Sequence, residues 1–269
     1  MRLRVAALVG IAVAAFVGPM VVMGQTGILK SIPNLPWPAP VLMEEPEIAP
    51  ILTPAEALKT FVMAPGYHLE LAAAEPLIKD PILAEFDGDG RLWVLEMNGY
   101  AINEQMENSF EPINSLVVIE DTDDDGVYDK RTVFMDQLIM PRAFMVMDKN
   151  CALVGAPPNL FRACDTNGDL VADTREIIDG NFSRQGVIEH GANGIYWGID
   201  NTIYVSQHTY NLQYKNGEIV TEPALTRGQW GITQDDGGRI FRNVNTDPLF
   251  VDYVPNKYYV RNPNLVRTK

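Results

Sequence analysis

Cysteine is close to absent from this chain, with two residues in 269, Cys151 and Cys164. Neither stands in a CxxC or CxxCH arrangement, which excludes a thiol redox pair and covalent attachment of a c-type haem within the chain. Basic residues are scarce as well. Lys and Arg total 21 against 35 Asp and Glu, a net charge of −14, and so acidic a surface argues against nucleic acid or an anionic bilayer as partner. Long hydrophobic runs are missing apart from one, Val5 to Met23, behind Arg2 and Arg4. That pattern is an export signal. The run just reaches bilayer-spanning length, but Gly18-Pro19 interrupts it and Val22-Met23-Gly24 offers a cleavage site. Cleavage near Gly24 is expected in preference to an uncleaved membrane tether. Both outcomes put the remainder outside the cytoplasm, in the periplasm or beyond.

What remains is globular, with 46% hydrophobic residues, enough for one large core or two small ones. Residues 1–24 are expected to be the signal or anchor, and the proline-rich stretch 25–54 an extended linker. The folded domain then covers 55–269. "TPAEALKTF" opens it with a short helix, a threonine cap followed by proline at the first helical position. From Gly66 onward, short alternating runs are punctuated by Asp, Asn and Gly, the pattern of an all-β chain. Four segments, "FDGDGRLWVLE", "MDKNCALVGA", "GIDNTIYVSQ" and "QDDGGRIFRN", repeat a turn acid followed by an alternating strand, with Asp89, Asp148, Asp200 and Asp236 as the turn acids. Their spacing is that of β-propeller blades, and at about 40 to 50 residues per blade the domain holds about four to five of them. The expected fold is a six-bladed type of propeller, incomplete in this chain. Within it, "CALVGAPPNLFRAC" reads as a hairpin turning at Ala156-Pro157-Pro158-Asn159, which sets Cys151 opposite Cys164. A cross-strand disulfide is geometrically reasonable in an exported protein, and two buried thiols are the other reading.

Acidic residues concentrate in two loops. "DTDDDGVYDKRTVF" places Asp121, Asp123, Asp125, Gly126, Val127 and Asp129 at positions 1, 3, 5, 6, 7 and 9 of a calcium loop, with Val127 contributing its carbonyl. "DTNGDLVADTREII" repeats the spacing with Asp165, Asn167, Asp169, Val171, Asp173 and, at position 12, Glu176. One loop has the turn glycine and lacks the glutamate; the other has Leu170 at the glycine position. Carboxylates about 4 Å apart repel by roughly 1 kcal/mol even at the dielectric of water, and Ca2+ would neutralise them. Ordinary solvated hairpin turns are the competing reading. With no flanking amphipathic helices, the expected role of the ion is structural.

The stretches "TPAEALKTFVMAPGYHLELAAAEPLIKDPILAEFDGDGRLWVLEMNGY", "NGIYWGIDNTIYV" and "GQWGITQDDGGRIFRNVNTDPL" resemble the N-terminal propeller of the membrane-bound dehydrogenase family of planctomycetes, the PVC-type haem-binding CxxCH proteins. That propeller is similar to the soluble quinoprotein glucose/sorbosone dehydrogenases, six-bladed proteins that use pyrroloquinoline quinone (PQQ) and calcium. The resemblance implies oxidation of a sugar or polyol hydroxyl by hydride transfer to the quinone, with a redox partner such as a c-type cytochrome. It implies that His190, in "EHGANGIYWGIDNTIYV", is the general base, a role suited to an imidazole, and that Glu189 orients it. Arg227, in "RGQWGITQDDGGRI", matches the arginine that contacts the cofactor there, where a permanent cation suits the quinone's carboxylates. Later basic residues of that pocket would fall beyond Lys269, in keeping with an N-terminal portion of a longer propeller. His68 and His208 have no supporting pattern, and Trp93, Tyr196, Trp197 and Tyr204 read as blade packing. The class that competes with the enzyme is a calcium-stabilised propeller that serves as a binding or assembly module.

Overall fold

The computed structural model describes residues 50–100, 102–183, 190–262 and 264. The signal or anchor expected at 1–24, and the linker as far as residue 49, lie outside the described residues. No helix among those described is long and apolar enough to cross a membrane. In the unit Pro54–Lys269 the chain begins with helix α1 (Pro54–Leu58), where the Thr53-Pro54 start signal predicts one.

Fifteen strands follow, in four antiparallel meanders that are the blades of a β-propeller. Blade 1 is β1 (Pro81–Phe86), β2 (Leu92–Glu96), β3 (Asn114–Glu120) and β4 (Lys130–Leu138), and blade 2 is β5 (Ala143–Val146), β6 (Cys151–Ala156), β7 (Asn159–Cys164) and β8 (Thr174–Asp179). Blade 3 is β9 (Asn193–Trp197), β10 (Thr202–Ser206), β11 (Tyr210–Lys215) and β12 (Glu218–Pro223). Blade 4 has three strands among the described residues, β13 (Ile232–Gln234), β14 (Ile240–Arg242) and β15 (Phe250–Val251), and is followed by helix α2 (Asn256–Val260), which contacts β12 of blade 3. The innermost strands β1, β5, β9 and β13 are neighbours in sequence of blades, and together they line an open groove where Tyr196, Trp197 and Trp230 are partly exposed. Tyr196 and Trp197 are thus wall residues of the channel as well as packing residues, whereas Trp93 and Tyr204 are buried as expected.

Strand alternation sorts the core into layers between blades. Leu92, Val94, Val117 and Ile119 point to the outer side of blade 1, where Ala73, Leu77 and Ile78 cover them. Their neighbours Trp93, Leu95, Leu116 and Val118 point the other way, against Phe144, Ala152 and Val154 of blade 2. Leu153 and Leu160 of blade 2 in turn meet Ile195, Ile203 and Val205 of blade 3. Strands buried on both faces read as near-continuous apolar runs, which is why LWVLE and NSLVVIE carry so few polar residues.

The turn acids are the first acid of each turn. Asp87, not Asp89, accepts the N–H groups of Asp89 and Arg91 and the side chains of Arg91 and Trp93. Asp148 and Asp200 do the equivalent in blades 2 and 3. In blade 4 the acid is Asp235, not Asp236, bonded to the N–H groups of Gly237 and Arg239. The physical reason is that a carboxylate closes an Asx-type turn by accepting from residues two to four positions later, so only the acid that opens the turn has donors ahead of it. Cys151 and Cys164 face each other across the β6–β7 register and form a disulfide.

Candidate functional site

Antiparallel meanders send the first-to-second and third-to-fourth strand turns to one end of every blade, and the second-to-third turns and the links between blades to the other. Both acidic loops are third-to-fourth turns, β3–β4 and β7–β8, and therefore share the lower face with the turn acids. His190 and Arg227 stand in links, β8–β9 and β12–β13, on the upper face. The expected metal loops and the expected chemistry thus sit at opposite ends of the blades.

The two loops have the same backbone. Positions 4 and 6 take positive φ in both, as Asp124 and Gly126 in the first and Gly168 and Leu170 in the second. Leu170 tolerates this because its side chain is buried in the layer between blades 1 and 2, a gain of about 1.5–3 kcal/mol against about 1–2 for the left-handed backbone. In the first loop Asp121 accepts the N–H groups of Asp125 and Gly126, and Asp125 that of Val127. Asp121, Asp123 and Asp125 bring oxygens within 4.8 Å of one another, a set that could hold an oxygen-seeking divalent cation. In the second loop Asp165 is buried and accepts the N–H groups of Asn167, Gly168 and Leu170. Burial alone would raise its pKa, but these donors outweigh it and hold the carboxyl below its usual range. Asp129 and Asp173 each turn back onto the N–H and hydroxyl of a threonine, Thr122 and Thr166. Asn167 and Asp169 accept the N–H groups of Asp169 and Val171. Glu176 lies exposed in β8, opposite Arg162; a strand rising about 3.3 Å per residue carries it away from the loop, where a helix would fold it back. The first loop gathers three carboxylates, and the second has an asparagine, Asn167, at the matching third position.

On the upper face, His190 borders a cavity of about 330 Å3 together with Asn181, Ser183, Gly191, His208 and Thr209. Glu189 lies outside the described residues. The His190 Nδ1 atom is 3.0 Å from Gln229 Nε2. Asn245 N–H donates to Gln229 Oε1 at 3.4 Å, so the amide turns its NH2 toward the ring, and the neutral imidazole keeps its hydrogen on Nε2. Buried Asn193 fixes this loop against the next link by donating to Gly191 O at 3.1 Å and accepting from Trp230 N–H at 2.7 Å. His208, which no sequence pattern singled out, stacks on Phe182 and tilts against Tyr210. Burial pushes its pKa down against the pull of Asp179, which accepts from the Tyr210 hydroxyl.

Arg227 lines a second cavity, of about 530 Å3, between blades 3 and 4. The facing wall carries Arg242, whose side chain is 2% exposed and pairs with Asp252 at 3.1 Å. Its Nε and Nη1 have no hydrogen-bond partner among the described residues. Burial pushes the Arg242 guanidinium below its usual pKa; Asp252 and Tyr204 oppose this, and the like charge of Arg227 adds to it. Two guanidinium groups on one cavity suit an anion, although Asp252, paired with Arg242, and Asp247 line it as well. Phe250, Tyr253 and Tyr259 supply flat walls. Gln207 borders both cavities and donates its N–H to Arg227 O at 2.9 Å. His190 and Arg227 therefore line adjoining cavities that share Gln207.

Among solved structures, the chain is similar to the PQQ domain of pyranose dehydrogenase from Coprinopsis cinerea, at 12% identity and a TM-score of 0.41 over 61% of this chain and 43% of that one. It is similar also to a gluconolactonase from Xanthomonas campestris, at 15% identity and a TM-score of 0.44 over 69% of this chain and 62% of that one. A calcium-binding protein, regucalcin, from Agrobacterium tumefaciens matches at 13% identity and a TM-score of 0.38, over 68% of this chain and 58% of that one. The chain spans less than two thirds of the length of each. No curated protein matches it. The family described as Domain of unknown function (DUF7133) matches residues 53–269, and the chain belongs to that family.

Proposed function

We propose that this propeller is an exported dehydrogenase domain that oxidises a sugar or polyol hydroxyl, with an anionic planar quinone of the PQQ type held between blades 3 and 4. The observation that carries the proposal is the pair Arg227 and Arg242 on one cavity, the second buried with unbonded guanidinium nitrogens. Those nitrogens fit the carboxylates of PQQ, and the aromatic side chains fit its ring. When bound, PQQ would supply the hydride acceptor. The chain's own residues would do the rest: Arg227 and Arg242 bind and orient the anion, and Gln207, which borders both cavities, marks the junction where the hydroxylated ligand would have to meet the quinone for the hydride to pass. His190 would take the hydroxyl proton there. The sequence resemblance to planctomycete dehydrogenases supports the same reading, along with a tether or export signal at the N-terminus and a c-type cytochrome as electron acceptor.

The test is a titration of the purified chain with PQQ in the presence of Ca2+, followed by dye reduction with aldoses and polyols. Binding at micromolar PQQ is expected. Arg242→Gln should weaken it about tenfold or more, since a charge-assisted hydrogen bond contributes about 1.5–3 kcal/mol. Absence of binding at micromolar PQQ would overturn the enzyme reading and favour the binding or assembly module.

Calcium is proposed at Asp121, Asp123 and Asp125. Thermal melts should rise with Ca2+, by about 2.7 kcal/mol of stability at a hundredfold excess over Kd. Asp123→Ala should remove most of this gain by deleting one oxygen ligand, and should leave the turn intact, because the side chains that accept its hydrogen bonds are Asp121, Asp125 and Asp129. A calcium response unchanged in that variant would place the ion elsewhere.

A further inference from the structure

One buried cation remains unexplained by the chemistry above. Arg142, in the link from blade 1 to blade 2, is 2% exposed and among the largest fully buried side chains. Among the described residues it has no carboxylate partner, and its Nε and Nη1 have no hydrogen-bond partner. Its one side-chain bond runs from Nη2 to Ser183 Oγ at 3.0 Å. Burial lowers its pKa to about 10, which leaves it charged at neutral pH. A buried, unpaired cation costs several kcal/mol, a cost that an anionic ligand would offset.

The position of that partner follows from the two residues in front of the guanidinium. Ser183 and Gly191 both line the cavity that holds His190. Gly191 is needed there: a Cβ would run into Ser183 Oγ and stand 3.0 Å from Arg142 Nη1. The Ser183 hydroxyl accepts from Arg142, so its own hydrogen is left to donate into the cavity. A hydroxyl donor with a positive charge directly behind it prefers an anionic acceptor to a neutral one. Of the remaining lining groups, Phe182 and Ala192 are apolar, and Asn181, His190, Gln207, His208 and Thr209 are hydrogen-bonding side chains suited to ring hydroxyls.

We infer that the ligand of this cavity is an acidic sugar, a uronate or aldonate, whose carboxylate accepts from Ser183 with Arg142 behind it. The inference rests on taking the His190 cavity as the sugar site, and it makes Ser183 and Arg142 the residues that determine specificity. No bond is made or broken by them. Their part is to select and orient.

The test uses the full chain without PQQ, so that its outcome is independent of the cofactor reading. Calorimetric titration at pH 7 with galacturonate and with galactose should show the acid binding about tenfold tighter or more, the effect of one hydrogen bond to a charged group. Ser183→Ala and Arg142→Met, each checked for an intact fold by its thermal melt, should both bring the acid-to-neutral ratio close to one. Equal affinity for the two sugars in the unaltered chain would overturn the proposal, as would a preference that survives in both variants. Galactose 6-sulfate is the control for anion type: if it binds in preference to galacturonate, the carboxylate assignment falls. Failure of PQQ to bind, with the uronate preference intact, would remove the dehydrogenase reading and leave this site standing.

Discussion

Trp93→Ala is expected to lower the stability of the domain by about 3–5 kcal/mol. Trp93 is fully buried in the layer between blades 1 and 2, with its ring 4.6 Å from that of Phe134 in an edge-on arrangement. Its Nε1–H donates to Asp87 Oδ2 at 2.8 Å. Truncation would leave a cavity between two blades that share no covalent link except the chain itself, and would take one donor from the carboxylate that shapes the first turn. Burial alone would raise the Asp87 carboxyl; Trp93 and Arg91 together bring it below its usual range. Arg91 remains in the variant, at 2.6 Å, so most of the loss should come from packing rather than from the acid. Trp93→Phe separates the two effects: it retains most of the ring and removes the donor, and should cost about 1–3 kcal/mol. Urea unfolding of both variants measures this. A loss below about 1 kcal/mol for Trp93→Ala would mean that the blades are not held together by this layer.

The sequence is most legible where structure is local. The β6–β7 hairpin could be paired by counting outward from its turn, so that Cys151 met Cys164 before any tertiary information was needed. Alternation within the strands was legible for the same reason, and so was the propeller, because a repeated turn followed by a strand is a local pattern. Counting failed where two acids compete in one turn. "FDGDG" and "QDDGG" each offer two candidates, and the choice depends on which carboxylate has N–H donors ahead of it. The acidic loops were legible as one turn used twice, but not the bonds inside them: Asp129 and Asp173 each turn back onto a threonine, and Asp121 and Asp165 each accept backbone N–H groups. Long-range juxtapositions were invisible. Arg142 and Ser183 are far apart in the chain and meet only because the link before β5 and the segment after β8 both end on the upper face. His208 and Arg242 carry no spacing signal of their own, and their interest comes entirely from what stands beside them.

His190→Ala is expected to reduce turnover of the proposed reaction by about 10²–10⁴-fold, the usual worth of a positioned general base, while PQQ binding stays within about twofold, since His190 is not among the residues of the Arg227 cavity. The structure adds a condition. With Gln229 donating to Nδ1, the neutral ring carries its hydrogen on Nε2, and Nε2 must lose that hydrogen before it can accept one from a substrate. The exchange requires the Gln229 amide to turn over, so that Oε1 accepts from Nδ1–H and the contact from Asn245 is given up. At 3.4 Å that contact is near the limit of a hydrogen bond, and its loss should cost no more than about 0.5–1.5 kcal/mol. In the proposed reaction Gln229 would therefore be a positioning residue whose orientation selects the reactive tautomer. Gln229→Glu, an acceptor only when ionised, would hold the ring with Nδ1–H and leave Nε2 bare; its turnover should equal or exceed that of the unaltered chain. Gln229→Met offers no acceptor and should lower kcat about tenfold with little change in KM for the sugar. Equal kcat in the Glu and Met variants would show that the tautomer is not selected by this side chain, and retention of more than about a tenth of the turnover in His190→Ala would remove His190 from the chemistry.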